Sequence, residues 1–132
     1  GIFVIGIGSA QSEELMKFTE NKFEVVYGIK GTLKTKEQYS MFWVKSVYKP
    51  GGAKAMFNGK YPKASYHKQL WGFDCANNSI MSMQFVMYDV NGAVIYSEGK
   101  DDYTNIIPGT LGETLRTIGC YDYDQKQKGP EI

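Results

Sequence analysis

Cys75, Cys120 and His67 carry the most reactive side chains in this sequence of 132 residues, which contains two cysteines and one histidine in all. A structural zinc site usually takes four Cys or His ligands, so these three residues cannot complete one. The cysteines stand 45 positions apart, unlike the short Cys-x-x-Cys spacing of a redox motif. The pair therefore favours a structural disulfide, and the alternative is two separate thiols that pack as small apolar side chains.

A disulfide between Cys75 and Cys120 would hold the end of a helix against the start of a strand hairpin. In the chain-entropy estimate, closing a loop of this length stabilises a fold by about 4 kcal/mol. Disulfides form and persist in oxidising compartments. The pairing therefore predicts a secreted, periplasmic or outer-surface location.

The sequence contains no recognisable catalytic constellation. His67 has no serine or cysteine nucleophile in a known pattern around it, and a general base needs an oriented partner. Asp101, Asp102, Asp122 and Asp124 do not follow the spacing of a calcium-binding loop. We therefore expect a protein that is not an enzyme, with no cofactor and no bound metal.

Aromatic and basic side chains are the better candidates for function. The chain has 10 tyrosines, 7 phenylalanines and 2 tryptophans, while its net charge of +1 gives no overall field that would attract nucleic acid. The stretch "KYPKASYHKQLW" interleaves lysines with aromatic residues, which suits contact with a glycan or a protein. We predict a protein or glycan partner, bound by exposed residues on alternating strands: Trp43, Tyr48, Tyr66, His67, Lys68 and Trp71.

The first ten residues, "GIFVIGIGSA", are apolar and small and have two interpretations. They are either the remnant of a secretory signal peptide or an ordered N-terminal strand or arm. They are too short to cross a bilayer as a helix, which needs about 20 residues. If the segment is an arm, it predicts an alternative function for the protein, as a structural subunit of a homo-oligomer or fibre. A neighbour's sheet edge would then receive an added strand that contains Ile2, Phe3, Val4 and Ile5.

Alternating apolar residues predict the strands that position these side chains. Such patterns cover residues 22–29, 38–49, 65–73, 80–88 and 89–97. The second of these is apolar on both faces, which predicts a central strand. In the fourth, alternation predicts one apolar face that contains Met81, Met83, Phe85 and Met87.

Turn and helix signals complete the fold prediction. Asn91-Gly92 predicts a type I′ hairpin, and Thr110 with Glu113 fits a capping box at the start of a helix that ends near Cys120. The pattern of residues 12–20 predicts a short helix capped by Ser12. The polar tail at 122–132 is expected to fray. We predict an α+β fold, with one domain at 11–121. A single antiparallel sheet of about five or six strands would carry a C-terminal helix on one face, tethered by the disulfide.

Several motifs, taken in order, resemble the surface-adhesin protein E family. They are Phe73-Asp74-Cys75, the runs Tyr88–Ser97 and Asn105–Leu115, and the helix-ending Cys120, so the resemblance covers roughly residues 39–120. It implies a small secreted or lipid-anchored protein of Gram-negative bacteria, with a flat antiparallel sheet and a disulfide-tethered C-terminal helix. It pairs Cys75 with Cys120. It also implies binding to host matrix glycoproteins and association as a homo-dimer or oligomer.

Overall fold

The computed structural model describes residues 13–129, which form one antiparallel sheet of eight strands together with three helices. The strands are β1 (Leu15–Glu20), β2 (Glu24–Ile29), β3 (Lys34–Lys36), β4 (Tyr39–Tyr48), β5 (Tyr66–Asp74), β6 (Ser79–Tyr88), β7 (Val94–Glu98) and β8 (Thr104–Asn105). The helices are α1 (Gly52–Met56), α2 (Leu111–Gly119) and α3 (Tyr121–Lys128). Six strands follow the order β1-β2-β4-β5-β6-β7, while β3 pairs with β4 and β8 with β6. The predicted α+β class and its antiparallel sheet are confirmed.

Side chains along the central strand β4 alternate between the two faces of the sheet. Phe42 and Val44 are 4% and 1% exposed, whereas the intervening Trp43 and Lys45 are only partly buried. Residues paired across antiparallel strands share a face, so the register extends this division to β2, β5 and β6. The side of Phe42, on which α2 packs, is the covered face. The side of Trp43, which α2 does not cover, is the open face.

The main core lies between α2 and the covered face. Leu115 of α2 is fully buried, and the rings of Phe42 and Phe73 stack with their centroids 5.6 Å apart. Gly119 brings the last turn of α2 onto these two rings, because a Cβ atom at this position would lie 3.0 Å from each of them. The absence of a side chain at this position therefore allows the close approach of helix and sheet.

A disulfide and an arginine join three elements at one buried corner. Cys75 and Cys120 are bonded, as predicted, with their Cα atoms 5.7 Å apart. The Arg116 Nη2 donates to the carbonyl oxygen of Cys75 at 2.8 Å, and the guanidinium donates twice to the Asp124 carboxylate at 2.6 and 3.1 Å. The turn after β5 and the helices α2 and α3 are thereby fixed to one another.

The first described element is a strand, so the prediction of a short helix at 12–20 is wrong. β1 pairs with β2 in antiparallel register, with an irregularity at Phe18. The Phe18 ring lies over Gly28 of β2, where a Cβ atom would stand 2.1 Å from the ring Cζ. The glycine makes room for the ring. Pairing and packing against a neighbouring strand outweigh the weak helical spacing of Leu15 and Phe18.

A bulge in β6 overturns the prediction that its methionines and Phe85 share one face. Adjacent residues of β5 pair with residues of β6 that stand two positions apart, which leaves Met83 as the extra residue. Met81 and Met83 stand over Gly72 on the open face, whereas Phe85 and Met87 lie on the covered face. One inserted residue therefore moves an aromatic side chain to the opposite side of the sheet.

The β6–β7 hairpin is antiparallel, as predicted, but its turn is not of type I′. Only Gly92 of the Asn91-Gly92 pair has a positive φ. The Asp89 carboxylate accepts hydrogen bonds from the backbone N–H groups of Asn91 and Ala93, each at 2.9 Å. This aspartate side chain therefore organises a longer loop.

The C-terminal region differs from the prediction in two respects. The Thr110 hydroxyl donates to the carbonyl oxygen of Ile107 and does not cap α2, so the predicted capping box does not form. The Glu113 carboxylate accepts instead from the Gly109 N–H. The expected frayed tail is largely the helix α3, which Asp124 holds through its contact with α2.

Residues 1–12 and 130–132 lie outside the described residues. The proposed cap Ser12 and the proposed strand-addition residues Ile2, Phe3, Val4 and Ile5 belong to this part of the chain. Within residues 13–129, none of the helices has the length and apolar character needed to span a membrane.

Candidate binding surfaces

Lysines and tyrosines alternate at one end of the open face. Tyr66 and Tyr88, on the neighbouring strands β5 and β6, stack with their centroids 4.8 Å apart and their planes 17° apart. The Lys45 Nζ lies 4.5 Å from the Tyr66 ring centroid, and the Lys68 Nζ lies 5.9 Å from that of Tyr88. Each ring attracts its ammonium group through the ring quadrupole. Lys45, Tyr66, Lys68 and Tyr88 are together termed the open-face patch.

The two lysines of this patch are direct cross-strand partners, and such like charges repel. Glu13 offsets part of this repulsion, because its carboxylate lies 2.6 Å from the Lys68 Nζ. Lys45 forms no ion pair with any residue between 13 and 129. Within this part of the chain its positive charge therefore has no carboxylate partner.

Trp43 extends the open-face patch towards the middle of the sheet. It precedes Lys45 by two positions on β4, lies on the same face and is half-buried. Its cross-strand partner is Leu70, so it stands diagonally to Lys68. Of the six predicted binding residues, the structure thus brings together Trp43, Tyr66 and Lys68.

The other three predicted binding residues, Tyr48, His67 and Trp71, lie on the covered face. Strand alternation separates Tyr66 from His67 and so divides the six between two surfaces. His67 is only 6% exposed, so the expected exposure of this side chain is wrong. Trp71 packs against the main core.

His67 and Tyr48 form a neutral, hydrogen-bonded pair. The Tyr48 hydroxyl oxygen lies 2.6 Å from the His67 Nδ1. Burial lowers the pKa of His67 to about 4 and raises the pKa of the Tyr48 hydroxyl. The imidazole is therefore uncharged at neutral pH, and the pair contributes to packing inside the covered face.

Four half-buried rings, which the sequence patterns do not group together, surround a cavity of about 310 Å³ on the covered face. Phe57 and Tyr61 come from the loop after α1, Phe85 from β6 and Tyr96 from β7. Sequence patterns indicate this site only weakly, because its rings come from three separate segments. In addition, the bulge in β6 decides on which face of the sheet Phe85 lies.

Clusters suited to metal binding were sought among the described residues. Between residues 13 and 129, no three His, Cys, Asp or Glu side chains stand close enough together to hold a metal ion. The thiols of Cys75 and Cys120 are bonded to each other. The binding geometry in this part of the chain therefore consists of aromatic rings and charged side chains.

Comparison with known proteins gives a family match over most of the chain. The family model for surface-adhesin protein E matches residues 13–121. No curated protein matches the chain, and no solved structure does either.

Proposed function

Because the chain belongs to the surface-adhesin protein E family, we propose that it is a non-enzymatic adhesin that recognises a protein or glycan partner through the open face of its sheet. The observation that carries this proposal is the open-face patch. Two stacked tyrosines stand there beside two lysines that repel each other across adjacent strands. An arrangement that lowers stability is more readily explained by binding than by folding.

The chemistry of the patch suits a glycoprotein that presents acidic groups next to sugar rings. Tyrosine faces stack on the apolar side of a sugar, while Lys45 and Lys68 attract carboxylate or sulfate groups. Host matrix glycoproteins, which the family resemblance implies, have this chemistry. Trp43 adds apolar contact area beside the lysines.

The proposed location is the outer surface of a Gram-negative bacterium, or the periplasm or medium reached by secretion. The family description supports a surface location, and the Cys75–Cys120 disulfide suits an oxidising compartment. In this setting the open face meets its partner outside the cytoplasm.

Binding to immobilised matrix and serum glycoproteins tests the adhesin proposal. We expect the double variant Lys45→Ala/Lys68→Ala to bind at least about tenfold more weakly than the wild type, because both patch ammonium groups are removed. The matched control is Lys54→Ala/Lys126→Ala, which removes two exposed lysines of α1 and α3. The proposal fails if the patch variant binds as tightly as the wild type, or if the wild type binds none of the glycoproteins.

A second candidate function is assembly by strand addition, which the exposed edge strand β7 favours. Within residues 13–129 this strand pairs with β6 alone, and its Val94 and Ile95 are 58% and 36% exposed. An unpaired edge of this kind can accept another strand. We propose that residues 2–5 of a second copy supply it.

The mass of the particle in solution tests strand addition. Deletion of residues 1–10 should reduce an oligomer to the monomer mass in light scattering, and Val94→Pro should do the same by blocking the edge. An oligomer that keeps its mass after the deletion would exclude the N-terminal segment as the added strand.

A further inference from the structure

The four rings around the cavity on the covered face form a closed cycle, termed the aromatic box. Its members are Phe57, Tyr61, Tyr96 and Phe85, in spatial order. Neighbouring centroids lie 5.9, 5.3, 6.1 and 6.5 Å apart around the cycle. The planes of three of the four neighbouring pairs cross at 63–78°. The rings therefore contact one another in a cycle, and all four line the same cavity.

The dimensions of the aromatic box match a small cation. Neighbouring centroids around the cavity lie 5.3–6.5 Å apart, which is close to the range of about 6 Å over which a ring attracts a cation. Met87, which is fully buried, also lines the cavity. The space is thus lined by polarizable, apolar atoms, which suit methyl groups better than water.

Two charged side chains, Glu98 and Lys60, stand at the rim of the aromatic box, and the carboxylate can serve as counter-charge to a bound cation. Glu98 is exposed at the rim, where its Oε2 accepts a hydrogen bond of 2.9 Å from the Tyr96 hydroxyl. No lysine or arginine among residues 13–129 forms an ion pair with Glu98. His67 lies 4.5 Å from the Phe85 centroid, and its low pKa of about 4 keeps it uncharged at neutral pH. The box therefore has one carboxylate and one ammonium group at its rim and a neutral imidazole beside it.

We propose that the aromatic box is a binding site for a quaternary ammonium group, with the ring faces against its methyl groups and Glu98 as its counter-charge. Lys60 stands at the same rim, with its Nζ 5.8 Å from the Tyr61 centroid. A zwitterionic ligand can therefore place an attached anionic group, such as a phosphate, near this ammonium. This site lies on the opposite face from the open-face patch and does not depend on the function proposed for that patch.

A proton NMR titration of choline with the full chain tests the proposal. We expect the choline N-methyl signal to move upfield in a saturable manner, because ring currents shield a group held against aromatic faces. The control ligand is 3,3-dimethylbutan-1-ol, which has the shape of choline without its charge. Its affinity should be at least about tenfold lower than that of choline, because cation–π attraction acts only on the charged ligand. Equal binding of the two, or no saturable shift with choline, would overturn the proposal.

Two substitutions assign the binding to the aromatic box. Tyr61→Leu removes one π face but keeps an apolar side chain, and Glu98→Gln removes the counter-charge at the exposed rim. Each should weaken choline binding about three- to tenfold. The matched control Tyr103→Leu alters an exposed tyrosine outside the box and should leave the affinity unchanged. Wild-type affinity in Glu98→Gln, whose fold a thermal melt confirms, would exclude Glu98 as counter-charge and overturn the proposal even if Tyr61→Leu unfolds.

Lys60→Ala distinguishes between a bare quaternary ammonium ligand and one that carries a phosphate. With this variant, phosphocholine should bind about three- to tenfold more weakly, whereas choline should bind at least as tightly as it does to the wild type. If Lys60→Ala weakens both ligands equally, the proposed role of Lys60 at the rim is wrong.

Discussion

Burial keeps His67 neutral between Tyr48 and Phe85 and thereby makes stability depend on pH. Burial lowers its pKa from 6.5 to about 4, so between these values the unfolded chain binds more protons than the folded chain. The contribution of His67 to stability therefore rises with pH through this window and is constant above it. The full difference is about 3 kcal/mol. Urea unfolding at several pH values should show this loss as the pH falls from 6.5 to 4.

The variant His67→Gln isolates this effect from the carboxylates that titrate in the same range. It keeps a polar side chain beside Tyr48 but removes the titrating group. Its free energy of unfolding should change less steeply than that of the wild type between pH 6.5 and 4. Parallel profiles for the two proteins would show that His67 does not contribute to the pH dependence.

Two glycines of the helix α2 should respond to alanine in opposite directions. At Gly119 a Cβ atom would lie 3.0 Å from Phe42 and Phe73, so Gly119→Ala should destabilise the fold by about 1–3 kcal/mol. At Gly112 the nearest atoms would lie 3.5 and 3.6 Å away, which is ordinary contact. Gly112→Ala should therefore stabilise the fold by about 0.5–1 kcal/mol, since alanine is the better helix former. A thermal melt of Gly119→Ala at or above the wild-type temperature would contradict the close approach at Gly119, and a lowered melt of Gly112→Ala would contradict the free space at Gly112.

At the scale of elements, the ion pair between Arg116 and Asp124 fixes α3 to α2. Asp124→Asn leaves a largely buried guanidinium without its carboxylate partner. Because the pair is partly exposed, we expect a loss of about 1–2 kcal/mol in the free energy of unfolding. Hydrogen exchange over residues 121–128 should become faster. The matched control is Asp122→Asn, which removes a carboxylate from the same first turn of α3. Equal effects of the two substitutions would point to the helix dipole instead of the ion pair.

Regular elements could be predicted from the sequence, whereas irregular ones could not. The alternation in β4, β5 and β7 and the helical period of α2 follow directly from local pattern. The bulge at Met83 and the strand β1 depend on partners distant in sequence, Trp71 and Gly28 among them. For the same reason, the patterns identify Trp43, Tyr66 and Lys68 of the open face. They predict neither Lys45 and Tyr88 as part of that surface nor the aromatic box, whose rings meet only in the folded chain.

At the scale of the whole molecule, the disulfide links the two layers of the fold. It joins the turn after β5 to the end of α2 and encloses 45 positions of the chain. We expect the double variant Cys75→Ala/Cys120→Ala to be less stable by about 4 kcal/mol, chiefly because its unfolded state is no longer constrained. Urea unfolding with and without reductant checks this value. Reductant should lower the stability of the wild type and leave the double variant unchanged, and a wild type insensitive to full reduction would contradict the prediction.

The Cys75–Cys120 disulfide also determines whether a single proteolytic cut releases a fragment of the protein. The β6–β7 turn and the segment at 99–105 are exposed and lie between the two cysteines, so both are accessible to cleavage. A single cut at either place leaves the two fragments joined through Cys75 and Cys120. Cleaved protein would therefore migrate as one species on a non-reducing gel and as two after reduction. In an extracellular protein with this disulfide, cleavage in the most accessible loops therefore does not release any part of the sheet.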